Sequence, residues 1–146
     1  MEEYIMTIDE GNASARAVLF NKDSEIIAMC SKEFAQYYPQ KGWVEQEPKE
    51  IWLTTKEVIN KVVADSGIDP KQIKAAGITN QRETVVVYDK NTGEPVYNAI
   101  GWADRRTAPY CDDLKAAGKE QMFIDKTGLL IDGYFSGTEI QWILDN

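Results

Sequence analysis

Three β-rich runs open this chain, and the turns between them are too short to hold a helix. "YIMTID" (Tyr4 to Asp9) alternates apolar and polar residues, "RAVLFN" (Arg16 to Asn21) is rich in branched and aromatic side chains, and "EIIAMCSKEF" (Glu25 to Phe34) follows the turn "NKDS". Alternation with period 2 marks a half-buried strand. Parallel neighbours need a crossover of about a dozen residues or more, so these strands must form an antiparallel meander. Its apolar face needs a cover, and the next periodic segment can supply one.

Pro48 stands at the first turn of that segment, with Glu47 and Glu50 beside it, a combination that suits a helix N-terminus. Ile51, Thr55, Val58, Ile59 and Val62 recur at helical spacing, and Gly67 is the expected stop. "DPKQ" reads as one short helical turn, and "IKAAGIT" (Ile73 to Thr79) as a small-residue strand buried against helices on both faces. "QYYPQKGWVEQEP" is a loop with an aromatic cluster, and "TVVVYD" and "VYNAIGW" form a hairpin around "KNTGEP". "RTAPYCDDLKAAG" and "KEQMFIDKTG" read as helices that end at glycine. "SGTEIQWILDN" opens with Ser136-x-x-Glu139, the spacing of a capping box, before an apolar stripe of Ile140, Ile143 and Leu144. Hairpins mixed with crossover helices predict an α/β fold with a sheet of about five or six strands, in about one domain by length. The last amphipathic helix runs into the final residue after about two turns with no C-cap, which predicts a piece of a longer polypeptide.

Composition removes several function classes. The chain has 146 residues, a formal net charge of −8 and no basic run, so neither nucleic acid nor an anionic membrane surface is an expected partner. No apolar run approaches the roughly 20 residues of a membrane span, and the acidic "MEEYIMTID" has no signal-peptide pattern. Cys30 and Cys111 are far apart, which predicts two free thiols and a cytoplasmic location. Histidine is absent. Ser-His-Asp and Cys-His catalysis and His-ligated zinc are therefore excluded, leaving carboxylates, Lys, Tyr or Cys as possible bases.

Four clusters could carry chemistry. In "IDEGNASARAVLF", Gly11 allows close backbone approach, small residues follow it, and Ser14 and Arg16 add a hydroxyl and a fixed guanidinium. Successive amides in such a turn can cradle phosphate oxygens, and Asp9 at the strand tip suits Mg²⁺. An ordinary hairpin turn explains the same residues. "NQRE" places Arg82 and Glu83 side by side between apolar strands. A donor-only guanidinium beside an acceptor-only carboxylate suits an uncharged polyol, and a solvated turn suits the pair equally. "GWADRRT" ends a strand at Trp102, whose face could lie along a ligand or simply fill the core, with Asp104 starting a helix. In "DGYFSGTEI", Tyr134 could offer its hydroxyl to a ligand, or Tyr134 and Phe135 could staple the following helix.

Taken together, "DEGNASARAV", "GWVEQEPKEIW", "AAGITNQRET", "YNAIGWADRRT", "KTGLLID" and "YFSGT…WILD" resemble the N-terminal part of the glycerol branch of the FGGY family of carbohydrate kinases, in that family's order along essentially the whole chain. The resemblance implies a ribonuclease-H-like mixed sheet flanked by helices, of the actin, hexokinase and Hsp70 type and incomplete here. Residues 1–146 would be the N-terminal portion of the first kinase domain, with the second domain absent. It implies ATP and Mg²⁺ as cofactors, glycerol or a similar polyol as substrate, the remainder of the kinase polypeptide as a partner, and a homo-oligomer as the intact enzyme. By position, Asp9 would help hold the metal. Gly11, Asn12, Ala13, Ser14 and Arg16 would contact nucleotide phosphates, and Arg82, Glu83, Trp102 and Tyr134 would line the polyol seat. The family's catalytic base lies beyond residue 146, so no catalytic residue is assigned and no turnover is expected of this chain alone. Two positions depart from the pattern. Asn12 and Ala13 replace a pair of threonines, and the donor lost at Ala13 corresponds to about 3 kcal/mol where charge develops. Ala103 stands where the glycerol branch commonly has glutamine.

Overall fold

The structure, a computed structural model, describes residues 2–146. The chain divides into two compact units, where length alone predicts about one domain. One comprises the residues up to Ala35 with Glu47–Gln81, and the other Gln36–Gln46 with Arg82–Asn146.

In the first unit, β1 (Tyr4–Glu10), β2 (Ser14–Asn21) and β3 (Ile26–Glu33) form the expected meander. β5 (Ile73–Thr79) joins the other side of β1 in parallel, giving the order β3-β2-β1-β5. Period-2 alternation does its work in β1, where Tyr4, Met6 and Ile8 are buried and Ile5 is exposed. Helix α1 (Pro48–Ser66) covers one face, packing Val58 and Val62 against Met6, Ile8, Ala15, Ala17 and Leu19. Each such valine, fully buried, contributes roughly 1.5–3 kcal/mol. The start of α1 follows its sequence signal: Pro48 occupies the first turn, and the Glu47 carboxylate accepts the Lys49 and Glu50 amides at 3.0 and 2.6 Å. Its end does too, because Gly67 adopts φ 68°, a left-handed conformation that costs other residues free energy. "DPKQ" forms a single 3₁₀ turn, Pro70–Gln72, closed by a reciprocal Asp69–Gln72 capping box.

β5 departs from expectation. It is the edge strand, and all of Lys74–Thr79 are exposed, Ile78 to 71%. Small apolar composition suits a strand with close neighbours, but composition cannot say whether those neighbours are in the chain. The sheet therefore has four strands, not five or six.

The second unit contains a two-stranded antiparallel sheet, β4 (Glu45–Gln46) with β6 (Ala99–Ile100), inside segments read as a loop and a hairpin arm. The expected hairpin survives only as bridges, Tyr88 to Pro95 and Val85 to Ile100. Helices α2 (Ala108–Ala116), α3 (Glu120–Thr127) and α4 (Ser136–Asp145) follow the sequence reading. Besides the buried Ala99, Ile100, Cys111 and Ile131, this unit buries an ionic cluster. The Arg106 side chain, 1% exposed, donates from Nη2 to Glu45 Oε1 at 2.8 Å and to Asp104 Oδ2 at 2.9 Å, and from Nε to Asp104 Oδ1 at 3.0 Å. Its guanidinium carbon lies 3.8 Å from the Trp43 ring centre and 4.5 Å from that of Trp142. Tyr97 and Asn98 donate the remaining bonds to Glu45, both at 2.9 Å. Burial pushes the Glu45 carboxyl up, but bonds from Asn98, Arg106 and Tyr97 outweigh it and hold the group below its usual range.

Candidate functional site

The residues assigned to the nucleotide lie on the β1–β2 hairpin of the first unit. Asp9 and Arg16 are direct cross-strand partners, and both are exposed. Their carboxylate and guanidinium thus sit on one face at the hairpin end, free to meet an aqueous ligand. The turn differs from expectation in one respect. The Gly11 amide donates to Ser14 O at 2.9 Å, and a Cβ on Gly11 would meet that same oxygen at 3.3 Å. The missing side chain at Gly11 therefore admits the Ser14 carbonyl that closes the turn on the Gly11 amide. The Ala13 carbonyl accepts the Phe34 amide, which ties the turn to the end of β3. Asn12 and Ala13 are exposed and Ser14 is half-buried. No group of three or more His, Cys, Asp or Glu suited to a metal ion occurs among the described residues. Mg²⁺ bound to a nucleotide needs only one or two protein carboxylates, with phosphates and water completing its shell, so Asp9 fits that demand.

The residues assigned to the polyol lie in the second unit, where Trp102 and Tyr134 meet and Glu83 is bonded through its carbonyl to Ser136, two residues after Tyr134. The Trp102 and Tyr134 rings pack edge-on with centres 5.8 Å apart, and Tyr134 meets Phe135 at 5.1 Å. Trp102 donates its amide to Thr84 Oγ1 at 3.3 Å, beside Glu83. The Ser136 hydroxyl donates to the Glu83 carbonyl at 2.9 Å. Glu83 itself has φ 67°, a conformation that a non-glycine residue adopts at a cost of about 1–3 kcal/mol and that concentrates at functional positions. Arg82, next to it, is exposed. Asp132 accepts the Tyr134 amide at 2.8 Å and the Arg105 guanidinium at 2.7 Å, fixing the approach to Tyr134. The Tyr134 amide first, then Arg105, hold the Asp132 carboxyl low against its partial burial.

Three readings of this unit need correction. Ser136 and Glu139 do not make a capping box: α4 begins after Phe135 with no side-chain cap, Ser136 bonds Glu83, and Glu139 is buried. The stripe of Ile140, Ile143 and Leu144 is not the buried face either, since Ile140 and Leu144 are exposed while Glu139 and Trp142 turn inward. Asp104 is not a helix cap. It accepts the Val44 amide at 2.6 Å and the Arg106 amide at 2.7 Å, and so joins two distant segments.

The sequence profile of the FGGY family of carbohydrate kinases, N-terminal domain, matches residues 4–146. The chain belongs to the FGGY family of carbohydrate kinases. A glycerol kinase of Geobacillus kaustophilus is 55% identical over 146 residues, which is 100% of this chain and 29% of that protein. The crystal structure of Plasmodium falciparum glycerol kinase with ADP superposes with a TM-score of 0.90 at 29% identity, over 99% of this chain and 29% of that one. A gluconate kinase from Lactobacillus acidophilus gives a TM-score of 0.90 at 24% identity over 100% of this chain and 29% of that one, a likeness of fold. The chain thus spans about 29% of the length of the relatives it matches. The FGGY fold, a mixed sheet with helices, agrees with the architecture inferred from the motifs. Among the described residues no helix is long and apolar enough to cross a membrane, and Cys30 and Cys111 are free.

Sequence reasoning missed Arg106, Glu45 and Glu139. Arg106 opens a run read as helix, Glu45 lies in one read as loop, Glu139 has capping-box spacing, and nothing local marks any of them as interior.

Proposed function

We propose that this chain is the N-terminal portion of the first domain of a cytoplasmic glycerol kinase, which moves the terminal phosphoryl group of ATP to glycerol and yields sn-glycerol 3-phosphate. The observation that carries the reading is the 55% identity to a glycerol kinase over the whole chain. Glu83 would accept a polyol hydroxyl, Arg82 would donate to one, and the Trp102 and Tyr134 rings would lie against its C–H edge. Each hydroxyl both donates and accepts, so a carboxylate beside a guanidinium matches it. The strained backbone of Glu83, pinned by Ser136, would hold that carboxylate ready before the ligand arrives.

On the hairpin, Asp9 would hold Mg²⁺, and Arg16 with the Asn12–Ser14 backbone would face phosphate oxygens. The bound nucleotide and metal supply the transferable group and charge neutralisation. Phosphoryl transfer asks the protein mainly for positioning and electrostatics. The hydroxyl's proton acceptor and the second domain would come from the remainder of the polypeptide, in an enzyme that assembles as a homo-oligomer.

Calorimetry tests the polyol half. Glycerol should bind this chain in the millimolar range, and Glu83→Gln should abolish the heat. No glycerol binding by a folded chain, or equal binding by Glu83→Gln, would sink the assignment. A coupled assay on the chain alone should give no turnover above the Glu83→Gln control. A second reading, a non-catalytic polyol- or partner-binding module, draws on Asn12 and Ala13 in the turn and on the exposed β5 edge. Glycerol binding without Mg·ATP binding, by both this chain and a longer polypeptide, would favour it.

A further inference from the structure

Glu139 has no partner for its charge. It lies in the first turn of α4, is 1% exposed, and neither carboxylate oxygen has a hydrogen-bond partner among the described residues. The charged groups that face it are Asp104 and Arg106, from the segment after β6, and Glu83, from the turn before it. Arg106 is already committed, with Nε and Nη2 bonded to Asp104 and Glu45 and its guanidinium close to the Trp43 and Trp142 rings. One guanidinium therefore stands among the carboxylates of Glu45, Asp104 and Glu139, with Glu83 a fourth. An isolated carboxylate in such surroundings loses its hydration and gains nothing in return, and the usual resolution is that it stays neutral.

We propose that Glu139 is a proton-binding site: in the folded chain it is a neutral carboxylic acid, and its ionisation works against the packing of α4 on the Asp104–Arg106 segment and the Glu83 turn. Burial first, then the charges of Asp104 and Glu83, push its carboxyl up to about 8 against the pull of Arg106. The start of a helix favours negative charge, but only weakly beside a shift of that size. A metal ion in place of the proton finds no suitable ligand group among the described residues. Ser136, in the same turn of α4, holds the Glu83 carbonyl, which places the proton site beside a residue of the candidate polyol seat. The inference itself needs no polyol.

The sign of the effect follows from linkage. Between the ordinary glutamate value of 4.5 and about 8 the folded state keeps a proton that the unfolded state has lost. Stability must fall as pH rises through that window and level off above it. Urea unfolding followed by tryptophan fluorescence should show the folding constant of the native sequence dropping by up to about tenfold per pH unit between about pH 5.5 and 7.5. Glu139→Gln, neutral at every pH, should remove that slope. A flat native profile, or a Glu139→Gln profile with the native slope, overturns the inference. So does a native slope that vanishes when potassium replaces sodium at constant ionic strength, which would assign the site to a cation. If the variant does not fold, the native chain with ¹³C-labelled glutamate decides. One carboxyl resonance titrating near pH 8 supports the site, and titration of every glutamate below about pH 5.5 refutes it.

Discussion

Replacing Arg106 with methionine should cost the second unit about 4 kcal/mol. The change leaves the Asp104 and Glu45 side chains, 1% and 4% exposed, buried without their counter-charge. Removing one member of a buried ion pair costs about 3–5 kcal/mol, because the charge left behind has neither water nor partner. Loss of the guanidinium's contacts with the Trp43 and Trp142 rings adds about 0.5–2 kcal/mol, part of which the apolar methionine recovers by contact. Arg106→Met should therefore lower the folding constant by close to a thousandfold, at about 1.4 kcal/mol per factor of ten. Fluorescence reports the right region: Trp43, Trp102 and Trp142 lie in this unit, and the remaining tryptophan, Trp52, is 59% exposed in the other. The triple variant Arg106→Met, Asp104→Asn, Glu45→Gln separates charge from shape. It should recover most of the loss, since no ion remains to desolvate. A single variant within about 1 kcal/mol of the native chain, or a triple variant no better than the single, would refute the claim that the network is held by charge pairing.

Other consequences are as direct. Glu83→Gly should stabilise the second unit by about 1 kcal/mol in urea unfolding, by relieving the positive φ, while abolishing glycerol heat in calorimetry; unchanged stability would mean no strain is stored there. Gly67→Ala should destabilise the first unit by about 1 kcal/mol by far-UV circular dichroism, through left-handed strain alone, since no atom lies within 4 Å of the new Cβ. Glu47→Ala should cost about 1 kcal/mol by the same measurement, through loss of the two amides it caps. The Asp132 carboxyl is held low in the folded state, so its contribution is present above its ordinary value of 3.8 and is lost as pH falls through the folded one. Asp132→Asn should flatten that acid limb and shift Tyr134 resonances in NMR.

What the sequence disclosed depended on how local each signal is. The meander and α1 were legible because their determinants sit within a few residues: a turn, a proline, a capping carboxylate, a glycine. Glu83, Trp102 and Tyr134 were named through the motifs that resemble the family; in the fold Trp102 packs on Tyr134, and the Glu83 carbonyl is bonded by Ser136. Gly11 was read for a ligand because a missing side chain looks the same whether it admits a phosphate or a carbonyl from its own turn. Ser136 and Glu139 have capping-box spacing, but Ser136 finds its acceptor at Glu83, far along the chain, and spacing carries no information about that choice. Arg106 was illegible for the same reason, since its neighbours come from positions 43, 45, 97, 104 and 142.

The place of β5 bears on the order of assembly. β1, β2 and β3 meet through tight turns, so the meander can condense from neighbouring pieces of chain. β5 must instead return across α1 to lie beside Tyr4–Asp9, a closure of long loop that is entropically slow. During synthesis the meander would emerge first and wait, its outer β1 edge open, until the last strand of the sheet arrives.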